Sequence, residues 1–195
     1  MIELDDPPAI GSQRRRALCL AIARAVDHKA DYFPSHSEGV AFLVAIIGRE
    51  QGLEAAQMAR LQEAALVHDA GKLMMPDAIL MKPAGLTHYE YEVIKDHASV
   101  GQQMLLAAGL VDEAHWVRHH HEWLDGSGYP DGLAGDEIPV ESRLLSVADA
   151  FQVICSDRVY KRAQSPRRAF DILERGSGLQ FDEECVGALR QGLAG

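Results

Sequence analysis

The chain has 195 residues, 47% of them hydrophobic and 25% charged, which is the composition of an ordinary globular domain with one buried core. Its formal net charge of -10 repels polyanions, so the composition argues against a nucleic-acid polymer as a partner. The longest apolar run, residues 40–47, is too short to span a bilayer, and the acidic start does not resemble a signal peptide. These features predict a cytoplasmic protein without a membrane segment.

Helical spacing of apolar residues runs along the chain, and no stretch alternates with a period of two. Residues 1–11 contain two prolines and end at Gly11, which predicts a flexible tail or linker. The basic triplet of residues 14–16 then opens the first helical pattern and is interpreted as a solvated helix start. We therefore expect one all-α domain over residues 12–195.

The strongest local signal is a capping box, in which Thr87 caps a helix and Glu90 closes the box. The spacing predicts one helix from this point through His97, which would face inward, to a stop at Gly109.

Two further helices are predicted, one over residues 141–156 and one after Ser165-Pro166, which suit the N-cap and first helical positions. Residues 125–132, with the sequence DGSGYPDG, precede them and contain too much Gly, Pro and Asp for a helix interior. This segment predicts a loop.

Histidines and carboxylates recur at the ends and faces of these elements. His68-Asp69 ends one helix, His97 faces inward from another, residues 119–121 are three consecutive histidines, and Asp149 lies on a fourth helix. Nitrogen and oxygen ligands suit iron, manganese or zinc better than calcium or magnesium. Each residue alone could be a packed core histidine or a helix-end residue. Together they indicate a metal site.

In order and spacing, these residues resemble the HD-GYP family. The resemblance is carried by HDAGK at residues 68–72, by His97, by HHE at residues 120–122 and by the DGSGYP loop, and it covers the chain from about Leu18 to Leu193. It implies an all-α, HD-type helical bundle with a metal site in its core. The HD core would occupy roughly residues 36–163, and C-terminal helices would occupy residues 165–193.

The resemblance also implies a metal-dependent phosphodiesterase that hydrolyses cyclic di-GMP to linear pGpG. Two divalent ions would be bound, usually iron or manganese, with zinc, nickel and magnesium also compatible. Asp69 would bridge them, and His119 would fall outside the ligand set. The implied catalytic residues are His68, Asp69 and Lys72. The implied metal ligands are His36, His68, Asp69, His97, His120, His121 and Asp149. The implied substrate-binding residues are Lys72, Arg158, Lys161 and Tyr129.

Three positions depart from the family pattern. Gly39 stands where relatives often have Arg, Gln152 where they usually have Asp, and Tyr32 where a three-metal subgroup has a glutamate ligand. Tyr32 therefore predicts two metals and slow or absent conversion of pGpG to GMP. Glu122, beside the histidine pair, is expected either to orient a ligand imidazole or to lie on the surface.

Two other functions stay open at this point. Because of Gln152, the domain could be a non-catalytic or weakly active cyclic di-GMP receptor, or a module that binds a GGDEF-type diguanylate cyclase domain through the GYP loop. Because phosphate contacts do not identify a base, it could also be an HD phosphohydrolase of another nucleotide.

Overall fold

The computed structural model describes residues 11–30, 35–157 and 162–195. Within these ranges the regular structure is α-helix and short 3-10 helix, with only two isolated β-bridges, so the prediction of an all-α fold is confirmed. The predicted tail lies outside the described residues except for Gly11. The α-helices are α1 (Ser12–Lys29), α2 (His36–Glu50), α3 (Ala55–Val67), α4 (Asp77–Leu80), α5 (His88–Lys95), α6 (His97–Ala107), α7 (Val111–Arg118), α8 (Val140–Cys155), α9 (Pro166–Arg175) and α10 (Glu183–Ala194).

Helix α2 is central to the bundle and contacts α3, α8 and α10. Its residues Val40, Val44 and Ile47 are fully buried, as their helical spacing predicts. The core continues into α8 through Leu144 and Ala148, also fully buried. Because α2 and α8 pack together, the residues at their facing ends can share a site.

The interpretation of the basic triplet as a solvated helix start is wrong for Arg15. This residue is half-buried, and its guanidinium donates to Glu63 on α3 at 3.2 Å and to Glu113 on α7 at 2.5 Å. Both carboxylates are buried and require a cationic partner, whereas Arg14 and Arg16 are exposed. Arg15 thus fixes the start of α1 against two other helices.

The capping box of Thr87 and Glu90 is present at the start of α5, but the single helix predicted beyond it is wrong. The structure has two helices, α5 and α6, with Asp96 between them. In a continuous helix the Ile94 carbonyl accepts from residue 98, whereas here it accepts from the His97 ring at 2.6 Å. His97 therefore begins its own helix and is buried, as predicted.

The helices predicted over residues 141–156 and after Ser165-Pro166 are both present. Helix α8 covers the interval expected from apolar spacing, and α9 begins after Ser165, whose side chain accepts from the Arg168 backbone N–H at 3.3 Å. Residues 125–132 form a loop. Among the described helices, none has the length and apolar character that a membrane span requires.

Candidate metal centre

Three of the predicted ligand histidines lie at helix boundaries and are oriented in the same way. Each Nδ1 lies within hydrogen-bonding distance of the backbone carbonyl three residues earlier. Since a carbonyl only accepts, each Nδ1 carries a proton, which leaves Nε2 as the nitrogen available to a metal. The distances are 2.7 Å from His68 to Ala65, 2.6 Å from His97 to Ile94 and 2.6 Å from His120 to Val117.

The structure brings the predicted ligands together as two adjoining groups. His36, His68 and Asp69 form one, and His97, His120 and His121 form the other, with the candidate ligand atoms of each group within 4.8 Å of one another. The two groups are continuous, because the rings of His68 and His120 lie 5.4 Å apart. Asp149, half-buried on α8, places Oδ1 3.4 Å from His36 Nε2 and 3.7 Å from His68 Nε2.

Asp69 lies between the two groups. Its Oδ2 is 3.4 Å from His68 Nε2, and its Oδ1 is 3.4 Å from His97 Nε2. The side chain is almost fully buried, so its orientation is set by its surroundings. One carboxylate therefore presents one oxygen to each group.

Burial and neighbouring charge shift the pKa values across this centre. Burial would lower the pKa of His68, but Asp69 and Asp149 raise it to about 9. Burial lowers the pKa of His97 to about 4 and that of His120 to about 3, which keeps both imidazoles neutral at pH 7. Burial alone would raise the pKa of Asp69, but Lys72 and His68 hold it well below its ordinary value. His97 and His120 are therefore already in the neutral form that binds divalent metals, whereas His68 is protonated at pH 7 and would release its Nε2 proton when a metal binds.

The buried nitrogens provide a direct test of whether a metal fits. The Nε2 atoms of His68, His97 and His120 are buried and make no hydrogen bond of ordinary geometry to any residue that the structure describes. Buried polar atoms normally have a partner, and the Nε2 atoms of His68 and His97 also face the oxygens of one carboxylate, Asp69, so this cluster of nitrogens fits a bound cation. The donor set of imidazole nitrogens and carboxylate oxygens fits iron, manganese or zinc.

The remaining predicted site residues are only partly described. Lys72 places its ammonium nitrogen 2.6 Å from Asp69 Oδ2, at the edge of the centre. The ring of Tyr129 stacks on His121 with centroids 4.9 Å apart. Arg158, Lys161 and Tyr32 lie outside the described residues, so the phosphate roles predicted for the first two and the metal count argued from the third stay predictions.

Neither role considered for Glu122 agrees with the structure. This carboxylate is buried and accepts the backbone N–H groups of Asp131 at 2.7 Å, Gly132 at 3.1 Å and Leu133 at 3.1 Å. The loop also returns close to Glu122, because a Cβ on Gly128 would lie 2.5 Å from the Glu122 Cα. Glu122 thus holds the loop that carries Tyr129.

A second anchor of this loop explains His119. Its Nε2 lies 2.9 Å from Asp131 Oδ2, and Arg118 donates to both oxygens of the same carboxylate at 2.6 and 2.7 Å. His119 therefore faces the loop, and it belongs to neither ligand group.

Gly39 and Gln152, which depart separately from the family pattern, contact each other. Gly39 is in α2, one helical turn beyond the predicted ligand His36. Gln152 is in α8, one helical turn beyond the predicted ligand Asp149. A Cβ on Gly39 would lie 2.4 Å from Nε2 of Gln152 and 2.6 Å from its Cδ. The Gln152 amide therefore occupies the space that a side chain at residue 39 would need.

This contact predicts a measurable coupling. Replacing a glycine in a helix interior by alanine raises the free energy of unfolding by about 0.5–1 kcal/mol where there is space for the methyl group. We expect Gly39→Ala to stabilise the protein only when Gln152 is also replaced by alanine. In a double-mutant cycle measured by urea unfolding, the two substitutions should differ from additivity by about 0.5–1.5 kcal/mol. Gly187→Ala in α10 is the control, since that position faces open space and should stabilise both backgrounds equally. Equal effects of Gly39→Ala in both backgrounds would contradict the contact.

The fold and the site together define a helical domain built around an interior site of two adjoining histidine and carboxylate groups. The sequence matches the family model described as HD domain over residues 1–185. The chain therefore belongs to the HD domain family, and the resemblance seen in its motifs is confirmed.

Characterised proteins resemble the chain over most of its length. It is 35% identical over 185 residues to the cyclic di-GMP phosphodiesterase response regulator RpfG of Xanthomonas campestris, which covers 93% of this chain and 49% of that protein. It is 37% identical over 174 residues to the 3'3'-cGAMP-specific phosphodiesterase 3 of Vibrio cholerae, covering 89% of this chain and 38% of that protein. The chain thus spans half or less of the length of these two relatives.

A solved structure supports the fold. Bd1817, an HDG"Y"P protein from Bdellovibrio bacteriovorus, superposes with a TM-score of 0.68 and 16% identity, over 95% of this chain and 65% of that one.

Proposed function

We propose that the chain is a metal-dependent cyclic dinucleotide phosphodiesterase that hydrolyses cyclic di-GMP to linear pGpG. Residues 12–195 would form the catalytic domain, with an HD core at roughly residues 36–163 and C-terminal helices at residues 165–193. The naming of RpfG as a cyclic di-GMP phosphodiesterase supports this substrate.

The position of Asp69 is the observation that carries the proposal. Its two oxygens lie 3.4 Å from His68 Nε2 and 3.4 Å from His97 Nε2, so one carboxylate can bridge two cations. Two divalent metals about 3.5–4 Å apart, when bound, supply an activated water and a clamp for phosphate oxygens. The proposed ligands are His36, His68 and Asp149 on one side, His97, His120 and His121 on the other, and Asp69 between them.

The other residues of the site would act on the substrate. Lys72 lies beside the ligand groups and can neutralise a phosphate oxygen as charge develops in the transition state. Tyr129, whose ring stacks on His121, would offer a ring face and a hydroxyl to the substrate beside the ligand groups. Arg158 and Lys161 are proposed as further phosphate contacts on the resemblance alone.

The test begins with metal analysis of the protein purified under reducing, anaerobic conditions. We expect two equivalents of metal per chain, iron or manganese, and turnover of cyclic di-GMP to pGpG. Parallel incubation with 3'3'-cGAMP separates the two substrates named for the relatives. Tight binding without turnover would instead support a receptor. Rapid release of GMP, or three metals per chain, would show that Tyr32 or another residue completes a third site.

Lys72→Ala is expected to reduce kcat/KM for cyclic di-GMP by about ten- to a hundredfold, because a charge-assisted hydrogen bond contributes about 1.5–3 kcal/mol. Metal content should be unchanged, since removing a cation beside Asp69 does not weaken cation binding. Lys82→Ala is the matched control, because Lys82 also makes a 2.6 Å ion pair, with Glu90, away from the ligand groups. Equal kinetics in the two variants would place the substrate elsewhere.

The GYP loop is also proposed as a surface for a GGDEF-type diguanylate cyclase domain. Asp125 and Ser127 of this loop are exposed, and Trp123 beside it is 37% exposed. Loss of binding to a purified GGDEF domain on Trp123→Ala, with cyclic di-GMP turnover retained, would support this partner. Unchanged binding would contradict it.

A further inference from the structure

The side chain of Ser35, the residue before α2, does not cap this helix. Ser35, at the N-cap position, has a φ of 84°, a left-handed conformation that side-chain-bearing residues rarely adopt, and its side chain makes no capping hydrogen bond. The first N–H groups of a helix have no partner within the helix and need another acceptor. At this helix the acceptor comes from elsewhere in the chain.

Asp27, near the end of α1, provides that acceptor. Its Oδ2 accepts the Ser37 backbone N–H at 3.3 Å, and its Oδ1 accepts the Ser37 hydroxyl at 2.7 Å. Asp27 is only 7% exposed and Ser37 1% exposed, so this contact is shielded from water. A carboxylate at a helix N-terminus is also favoured by the helix dipole.

The capped residue directly follows His36, the first residue of α2. His36 is buried, and its Nε2 lies 3.4 Å from Asp149 Oδ1. A shift of this helix start would therefore move the imidazole relative to α8. We propose that Asp27 is a positioning residue, which holds the start of α2 so that His36 faces Asp149 and His68. The inference rests on the proposed role of His36 as a metal ligand.

Helix α1 has other contacts with the bundle, so the effect of removing this one can be tested. Arg15 joins its start to Glu63 and Glu113, and its apolar residues Cys19, Ala23 and Val26 are buried in the core. Loss of the Asp27 carboxylate should therefore act at the start of α2 and leave the bundle folded.

The experiment compares Asp27→Ala with Lys29→Ala, which removes a 2.6 Å ion pair between the same helix and Asp77 without touching α2. Metal dissociation constants are measured by chelator competition, and folding of both metal-free variants is checked by circular dichroism. We expect Asp27→Ala to weaken one of the two metals by about ten- to a hundredfold, the effect of losing a residue that orients a ligand. Asp27→Asn should be intermediate, because its amide oxygen can still accept from Ser37. Equal affinities in Asp27→Ala and Lys29→Ala would overturn the inference.

Two further measurements apply if Asp27→Ala does not fold or if the unmodified protein binds no metal. If Asp27→Ala does not fold, Ser37→Ala removes only the hydroxyl half of the contact and should weaken the same metal. If the unmodified protein binds no metal, the proposed function fails, but amide hydrogen exchange of Ser37 in the metal-free protein still tests the contact. Faster exchange of that amide in Asp27→Ala, which has no acceptor at this position, supports the contact, and unchanged exchange refutes it.

Discussion

Asp69→Ala is expected to bind metal at neither position and to lose cyclic di-GMP hydrolysis by at least about a thousandfold. The two carboxylate oxygens of Asp69 face different histidines at 3.4 Å. Alanine at this position would leave two cations without the shared negative charge that offsets their repulsion. The metals are proposed to supply several kcal/mol of transition-state stabilisation, and each ~1.4 kcal/mol is a tenfold change in rate. Metal analysis and single-turnover kinetics measure the two losses.

The metal content of Asp149→Ala is expected to lie between that of Asp69→Ala and that of the unmodified protein. Asp149 lies 3.4 Å from His36 and 3.7 Å from His68, on one side of the centre, so its variant should retain one metal per chain. Asp125→Ala, at an exposed position of the loop that belongs to neither ligand group, should retain both metals. Two metals per chain in Asp69→Ala would remove this residue from the bridging position.

Glu122→Ala is expected to lower the free energy of unfolding by about 3 kcal/mol, because three backbone N–H groups lose a charged acceptor at once. The same loop carries Tyr129 on His121, so turnover should also fall at temperatures where the protein remains folded. Urea unfolding measures the first effect and steady-state kinetics the second.

Glu137→Ala is the matched control in this region. Its carboxylate is exposed and accepts a single N–H, from Ala134 at 3.0 Å, so its removal should cost less than about 1 kcal/mol. Glu122→Gln should lie between the two, because one amide oxygen replaces two carboxylate oxygens. If Glu122→Ala is no more destabilising than Glu137→Ala, Glu122 does not hold the loop.

The sequence by itself determined the features that depend on short-range chemistry. Apolar spacing predicted an all-α bundle, Thr87 with Glu90 marked the start of α5, and Ser165-Pro166 marked the start of α9. These signals are readable because a helix cap and a helix face involve residues three or four positions apart. Apolar spacing wrongly predicted one continuous helix through His97. The ring nitrogen of His97 takes the place of a backbone N–H at the Ile94 carbonyl, and one helix ends there.

The tertiary structure alone decided which distant residues meet. Arg15 contacts carboxylates 48 and 98 positions away, Asp27 caps a different helix through a residue 10 positions later, and Gly39 faces Gln152 on another helix. No local pattern encodes such pairs, because they depend on how whole helices pack. For the candidate centre, the sequence supplied the ligand types through a resemblance. His68 adjoins Asp69 in the chain, but only packing brings His97 to the other oxygen of Asp69, because His97 begins a separate helix whose approach is set by the buried core.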